Sequence, residues 1–388
     1  MSRSTPPRTK PTGAGPTPHS TEACVLRELT PVDLTRLQNL NGYPMVSVLM
    51  PTTPGARLDP ADTSRLCHLI DRAERRLAVE LPDTEIDKVI VPFRQLASRI
   101  VDQSATGLGL ALFCGAGVLE AYRLPLRPDA RVVIDPTFAT RDLARAVLDN
   151  PPYRILTLAS GTARLYLGTS THLRERVDHG FPIDSRATAG TADRRGHLHQ
   201  GERTHHDSRR WDSFLRDVDR ALTGDHGTRA LPLVLAAAEP LASRYRNRTA
   251  HHVIGTIPGN HQRTTTTRLS ELARPVIDDH LSNRRRHSLG ELDQAITRRL
   301  AVSGINEVWR AAHDGRVVLL VVDPEYMYPA LPAPDGRSLT PASNREHPAV
   351  IDDAVDEAIE AVARSGGHTC FTALAPDHRG IAAVLGTS

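Results

Sequence analysis

Apolar positions along the chain come in short runs, each closed by a turn signal and followed by an amphipathic stretch. Met45–Met50 is a six-residue apolar run ended by Pro51, which predicts a buried strand. Thr30-Pro31 opens a short helix, with Thr as cap and Pro in the first turn. Asp59–Leu81 carries Leu66, Leu69, Ile70, Ala73 and Leu77 on one helical face, and a second helix covers about Asp83–Val101. Leu108–Phe113 and Val118–Leu124 read as a hairpin through Gly115-Ala116-Gly117. Arg131–Ile134 is a further strand, and Thr140–Leu148 a helix.

Asn150-Pro151-Pro152 then interrupts the pattern and predicts a boundary. Arg154–Ala159, Ala163–Leu167 and His172–Val177 read as consecutive strands. A long polar loop follows over 178–208. Next comes an amphipathic helix, with Trp211, Phe214, Leu215, Val218 and Leu222 at i, i+3, i+4, i+7 and i+11, ended by Gly224. Leu233–Ala238 is a buried strand and Pro240–Tyr245 a short helix. Thr264–Ser303 predicts one or two polar helices broken near Ser288-Leu289-Gly290. Ile305–His313 (helix), Arg316–Val322 (strand), Tyr326–His347 (loop), Val350–Arg364 (helix with an acidic outer face), Thr369–Leu374 and Ile381–Leu385 (strands) complete the chain. The expected fold class is α/β (α+β), with three consecutive α/β domains. Their expected extents are 21–150, 151–263 and 264–388, after a disordered Pro/Gly/Thr/Ser tail over 1–20.

Composition narrows the function classes. Of 388 residues, 24% are charged and 39% hydrophobic, which is ordinary for a soluble globular protein. No apolar run reaches the ~18–20 residues of a membrane span, and the N-terminal segment lacks the apolar centre of a signal peptide. Cys24, Cys67, Cys114 and Cys370 are scattered, which argues against a zinc site or a disulfide framework. A reducing cytoplasm is the expected location. Lys plus Arg is 48 against 45 for Asp plus Glu, so any nucleic-acid surface must be local. Lys10 and Lys88 are the only lysines, and the remaining cations are arginines, which fork onto phosphates and stack on bases.

Two local basic segments stand out. The first contains Arg194, Arg195, His197, His199, Gln200, Arg203, His205, His206, Arg209 and Arg210. It reads either as a solvated loop or as an arm touching phosphate and ribose. His197, His199, His205, His206 and Asp207 could also supply metal ligands, although their spacing fits no standard zinc pattern. The second segment contains Arg244, Arg246, Arg248, Arg263 and Arg268, with no acid between Glu239 and Glu271 and a Gly-flanked turn expected at 255–260. Such a run predicts an electropositive face. Arg284-Arg285-Arg286 reads as a solvated helix face. So does the acidic stripe Asp352-Asp353 and Asp356-Glu357, which is better explained by solvent than by paired catalytic carboxylates. P-loop, nucleophile-elbow and dinucleotide motifs are absent, and no cofactor or resident metal is expected.

The order of several short segments resembles the bacterial archaeo-eukaryotic release-factor-like family, its third subfamily in particular. They are Tyr43–Thr52 (YPMVSVLMPT), Gly107–Phe113 (GLGLALF), Tyr122–Pro125 (YRLP), Leu158–Ser160 leading to Ala163–Gly168 (ARLYLG), Pro232–Ala236 (PLVLA), Gly315–Val317 (GRV) and Gly380–Leu385 (GIAAVL). Together they cover about Leu29 to Leu385. The family is similar to the class-one eukaryotic release factor and the rescue factor Pelota. The resemblance implies a divergent first domain, a middle domain of catalytic type, and a last domain similar to the kink-turn-binding ribosomal-protein fold. It also implies the ribosome (rRNA and tRNA) as partner, with a translational GTPase as a further one, and no DNA specificity. Release factors carry Gly-Gly-Gln in the middle-domain loop. The corresponding segment here has His199-Gln200-Gly201, so Gln200 is only a weak catalytic candidate, lacking the glycines that free its backbone.

The expected function is that of a ribosome-associated RNA-binding protein in the A site. It would act in stress, rescue or hibernation and would not catalyse. One alternative is a factor that hydrolyses peptidyl-tRNA with a modified loop. The other is a metal-dependent hydrolase or nuclease built on the loop histidines.

Overall fold

A computed structural model of the chain describes residues 26–55, 57–101, 107–159, 161–169, 172–184, 200–343, 347 and 349–386, with the side chains of 200–210 left aside. The N-terminal tail expected over 1–20 lies outside the described residues, as do 185–199 of the expected loop. The α/β class holds: strands and helices are mixed throughout, in three main sheets. Among the described residues, no helix is long and apolar enough to cross a membrane.

The first unit comprises β1 (Leu26–Glu28), α1 (Pro31–Gln38), β2 (Met45–Pro51), α2 (Pro60–Leu77), α3 (Asp83–Val101), β3 (Gly109–Gly115), β4 (Val118–Leu124), β5 (Arg131–Asp135) and α4 (Arg141–Asp149). Its sheet runs β1-β4-β3-β2-β5. The continuous apolar run of β2 has a simple cause, because both faces of that strand are buried. Val46, Val48 and Met50 meet α2 and α3, while Met45 and Leu49 meet Phe113, Phe138 and Leu143. The β3–β4 turn needs glycine at Gly115, where φ is 146° and a Cβ would lie 2.7 Å from the Pro44 carbonyl oxygen. Thr30 and Asp33 form a reciprocal capping box at α1, and Asp59 caps α2.

The second unit comprises β6 (Tyr153–Ala159), β7 (Thr162–Gly168), β8 (Leu173–Arg176), β9 (Ile183–Asp184), α5 (Gln200–Gly224), β10 (Leu233–Ala237), α6 (Leu241–Arg246) and β11 (Val253–Pro258). Its sheet runs β11-β10-β6-β7-β8, with β9 also on β7, and β11, β10 and β6 are parallel. The turn expected at 255–260 is mostly strand, since Gly255 lies inside β11. A Cβ there would come within 2.4 Å of Val276 Cγ1, so the glycine admits the next helix against the sheet.

That helix, α7 (Thr266–Thr297), is a single element, where the sequence predicts a break near Gly290. Packing overrides propensity here. Leu269 and Ala273 sit on the second sheet, and Leu292 lies on the third. Both ends are anchored, so the glycine between them stays helical. The third unit comprises β12 (Ala301–Ser303), α8 (Ile305–His313), β13 (Val317–Val322), β14 (Ala330–Pro332), β15 (Leu339–Pro341), α9 (Ala354–Arg364), β16 (His368–Phe371) and β17 (Ile381–Leu385). Its main sheet runs β12-β17-β13-β16, and β14 and β15 form a hairpin inside the segment expected to be loop. Helices α8 and α9 cover one face, and the second half of α7 covers the other.

The acidic face of α9 is not solvated. Asp352, Asp353, Asp356 and Glu360 are all buried, against the first unit. Arg76 from α2 reaches Asp352 at 3.0 Å, and Arg141 from α4 reaches Asp353 at 3.1 Å. Arg141 also donates to the Pro324 carbonyl at 2.7 Å. The Thr140 hydroxyl lies 3.0 Å from Glu360 Oε1 and 3.3 Å from Asp356 Oδ1. These partners are more than 200 positions apart in the chain, so no local pattern of charge reveals the pairing. Burial raises the Asp356 and Glu360 carboxyls; repulsion from Glu360 and Asp353 raises Asp356 further, and repulsion from Glu357 raises Glu360. Burial and the charges of Asp352 and Glu357 push Asp135 up to about 8. Burial likewise pushes Glu357 up to about 7.

A carboxyl whose pKa is raised by folding holds its proton more tightly in the folded chain. Its contribution is complete below the ordinary carboxylate range and is lost as pH rises through the folded value. Thermal stability is therefore expected to fall between about pH 5 and pH 8 on account of these groups, the window set by ordinary carboxylates near 4 and the folded values of Asp135 and Glu357. The double variant Asp135→Asn, Glu360→Gln should flatten that slope in a pH series of thermal melts. A separate expectation concerns α7. A Cβ at Gly290 meets nothing within 4 Å, so Gly290→Ala should stabilise the chain by about 0.5–1 kcal/mol in urea unfolding.

Candidate nucleic-acid interface

Three parallel strands, β11, β10 and β6, end at one edge of the second sheet. In open α/β sheets that carboxyl edge is where ligands gather. A cavity of about 420 Å³ lies there, between the ends of β6 and β10, the start of α6 and Trp211 of α5. Helix α5 is held in place by Phe214, Leu215, Val218 and Leu222, which pack on the sheet. Trp211 is half-buried beside Phe214, with ring centroids 6.0 Å apart in an edge-to-face arrangement.

The first basic segment is described only in part. Arg194, Arg195, His197 and His199 fall outside the described residues. Gln200, Arg203, His205, His206, Arg209 and Arg210 belong to α5, where the sequence predicts a loop through 208. The amphipathic segment from Trp211 onward anchors the helix, and Gln, Glu and Arg before it are good helix formers that extend it. Gln200 is thus the first residue of a helix, about 16 Å along the axis from Trp211 at 1.5 Å per residue. Among the described residues, no three His, Cys, Asp or Glu side chains converge as a cation site.

In the second basic segment Arg244, Arg246 and Arg248 are brought together at α6, but with company. Short helix α6 is fixed by Tyr245, which is buried and donates its hydroxyl to Asp219 Oδ1 at 3.0 Å. Thr249 donates to the same oxygen at 2.6 Å. This turns Arg244, Arg246 and Arg248 outward, and all three are exposed. The segment has no acid of its own, yet the fold supplies two. Asp212 of α5 pairs with Arg248 at 2.8 Å and approaches Arg244 at 3.9 Å. Glu239 pairs with Arg246 at 3.2 Å, and hydrogen bonds from Ser243, then the charge of Arg246, hold its carboxyl below the ordinary range. Arg268 pairs with Glu271 at 2.8 Å. Arg263 is exposed and has no ion-pair partner among the described residues. Exposed pairs with Asp212, Glu239 and Glu271 therefore offset much of the positive charge that the acid-free run implies.

The histidines here are largely structural. His261 is buried, with Nε2 donating to the Pro258 carbonyl at 3.2 Å and Nδ1 3.3 Å from the Thr264 hydroxyl. Burial holds the His251 pKa below its ordinary value, so this ring adds no cation at neutral pH. Sequence reasoning missed the cavity and the part Trp211 plays in it. Its only signal was a large aromatic opening an apolar stripe. It also missed Asp212, which sits next to Trp211 and carries no mark of its role.

The face rests on the α6 anchor. Tyr245→Phe removes one buried hydrogen bond to a carboxylate and should cost about 1–2 kcal/mol in chemical unfolding, with the fold retained.

Comparison with known proteins places the segment that builds this face. Residues 152–316 match the bacterial archaeo-eukaryotic release factor family 3, which takes in the second sheet, α7, β12 and α8. The family resemblance legible in the sequence therefore holds over that segment. Solved structures similar to the chain include an archaeal translation termination factor, aRF1, at 14% identity and TM-score 0.24, covering 93% of this chain and 99% of that one. A model of ribosome-bound archaeal Pelota and ABCE1 is similar at 13% identity and TM-score 0.40, covering 93% and 95%. Dom34 of S. cerevisiae, a translation termination-like factor, is similar at 14% identity and TM-score 0.37, covering 72% and 73%. No curated protein sequence matches the chain.

Proposed function

We propose, from the family 3 release-factor match over residues 152–316, that the chain is a ribosome-associated, RNA-binding protein of release-factor type. That match is the observation that carries the reading. The gathering of Arg244, Arg246 and Arg248 on and just after α6, beside the carboxyl edge of the second sheet, supports it, with Arg263 exposed nearby in the sequence, because guanidiniums bind phosphate through paired hydrogen bonds. In this reading the basic face lies on rRNA or tRNA backbone in the A site. Residues 194–210 point toward the peptidyl-transferase centre. The role is occupancy during stress, rescue or hibernation, with a translational GTPase as a delivering partner and the cytoplasm as location. It does not invoke hydrolysis, since no Gly-Gly-Gln is present in 194–210.

The pairs Arg248–Asp212 and Arg246–Glu239 bear on how such a face works. Exposed ion pairs are worth little, so a phosphate displaces the carboxylate at small cost. Binding then releases counterions and depends on salt.

The test is sedimentation of full-length protein with ribosomes across a salt series. Association is expected at low salt and lost at high salt. Charge reversal by Arg244→Glu, Arg248→Glu and Arg263→Glu should weaken it and reduce the slope of log affinity against log salt by roughly 0.7–0.9 for each phosphate contact removed. Protein that stays out of the ribosomal fraction at low salt, from both growing and stationary cells, overturns the reading.

A further inference from the structure

The main sheet of the third unit is covered unequally. Helices α8 and α9 close one face, but on the other, among the described residues, lie the second half of α7 and the end of α4. One helix does not cover four strands, and a cavity of about 550 Å³ remains between α7 and the sheet. This volume lies within the range of small-ligand sites. Its floor is apolar, formed by Val318, Leu319 and Val384.

The wall contributed by α7 is ordered by chemistry along one helix face. Arg284, Ser288, Glu291, Ala295 and Arg298 all line the cavity, at spacings of four, three, four and three residues. A cation and a hydroxyl stand at one end, a carboxylate in the middle, a small side chain next, and a second guanidinium at the far end. Arg284 and Arg298 are exposed and have no ion-pair partner among the described residues. Arg285, beside Arg284, is held by Asp149 at 2.7 Å, and Glu291 lies 3.4 Å from His287. Arg284, Arg285, Ser288 and Cys370 line the same end of the cavity, and Asp149 lies there too.

We propose that this cavity binds a nucleoside monophosphate moiety. The phosphate lies at Arg284 and Ser288, the ribose hydroxyls donate to Glu291, and the base rests on the apolar floor with Arg298 at its edge or face. Each part answers to one chemical need. Guanidinium and hydroxyl groups donate to phosphate, a carboxylate accepts from a ribose diol, and a flat aromatic base prefers an apolar surface flanked by an arginine. Ala295 leaves room where a larger side chain would fill the slot. The moiety is either a free nucleotide or one nucleotide of a single RNA strand. The site is separate from the face around α6 and does not rest on the ribosomal reading.

The experiment is calorimetric titration of the full chain with AMP, GMP, adenosine, inorganic phosphate and a short single-stranded RNA. In parallel, alkylation of Cys370 is followed by site-resolved mass spectrometry. AMP or GMP is expected to bind and to slow Cys370 alkylation, while adenosine and phosphate alone bind at least about tenfold more weakly. Arg284→Ala should weaken nucleotide binding about tenfold, the loss of one charge-assisted contact, and Arg298→Ala is a second variant at an exposed position. Circular dichroism checks that both remain folded. Binding of RNA without mononucleotide binding, still sensitive to Arg284→Ala and protecting Cys370, supports the site and assigns the strand as its source. Three outcomes overturn the proposal. They are no binding of any nucleotide or RNA, phosphate binding as tightly as AMP, and binding that neither variant weakens and that leaves Cys370 unprotected.

Discussion

Arg76 and Arg141 leave the first unit and end on Asp352 and Asp353 at the start of α9, in a contact nearly closed to water. The neighbourhood holds more acids than cations. Asp135, Asp352, Asp353, Asp356, Glu357 and Glu360 gather around Arg76, Arg131 and Arg141. An unpaired buried carboxylate is too costly to keep, so the surplus is met by protonation. The raised values at Asp135 and Glu357, and the repulsion that Glu360 exerts on Asp356, express that balance. The contact is polar and selective: breaking one pair would strand a buried charge, which costs more than the pair itself contributes.

This contact places α4 against the third unit, with Ala144 inside its core. The end of α4 then closes one side of the cavity under α7, through Leu148 and Asp149. Helix α7 completes the frame. It packs on the second sheet with its first half and on the third with its second, so the basic face around α6 and the cavity share one rigid element. The two regions differ in electrostatic character. Around α6 the fold adds Asp212 and Glu239 and softens a basic run. Along α7 it leaves Arg284 and Arg298 without such partners among the described residues.

Much of the architecture is legible in the order of residues alone. The strand at β2, the hairpin β3–β4, the stripe from Trp211 to Leu222 and the strand at β13 all follow from local periodicity and turn chemistry. The resemblance to the release-factor family, which holds over residues 152–316, is legible as well, in short apolar segments in order. The features that local pattern misses share one cause, which is packing against distant parts of the chain. Helix α7 runs through Gly290 because packing at both ends outweighs a local penalty of about 1 kcal/mol. Helix α5 starts at Gln200 because an anchored helix extends more easily than it nucleates. Gly255 reads as a turn residue but sits in a strand because α7 needs the space.

The sequence by itself determined where most strands and helices lie, which residue types are available as cations, and which release-factor family the segment 152–316 resembles. These depend on neighbours within a few positions, or on the order of pieces, and both are written along the chain. Only the tertiary structure decided the state of the charges. The acidic stripe on α9 became a buried contact, the acid-free run near α6 acquired carboxylates from elsewhere, and Arg284 and Arg285, in a run that reads as a solvated face, came to line a cavity while Arg286 stayed exposed. Charge acts through space, over distances that the order of residues does not record.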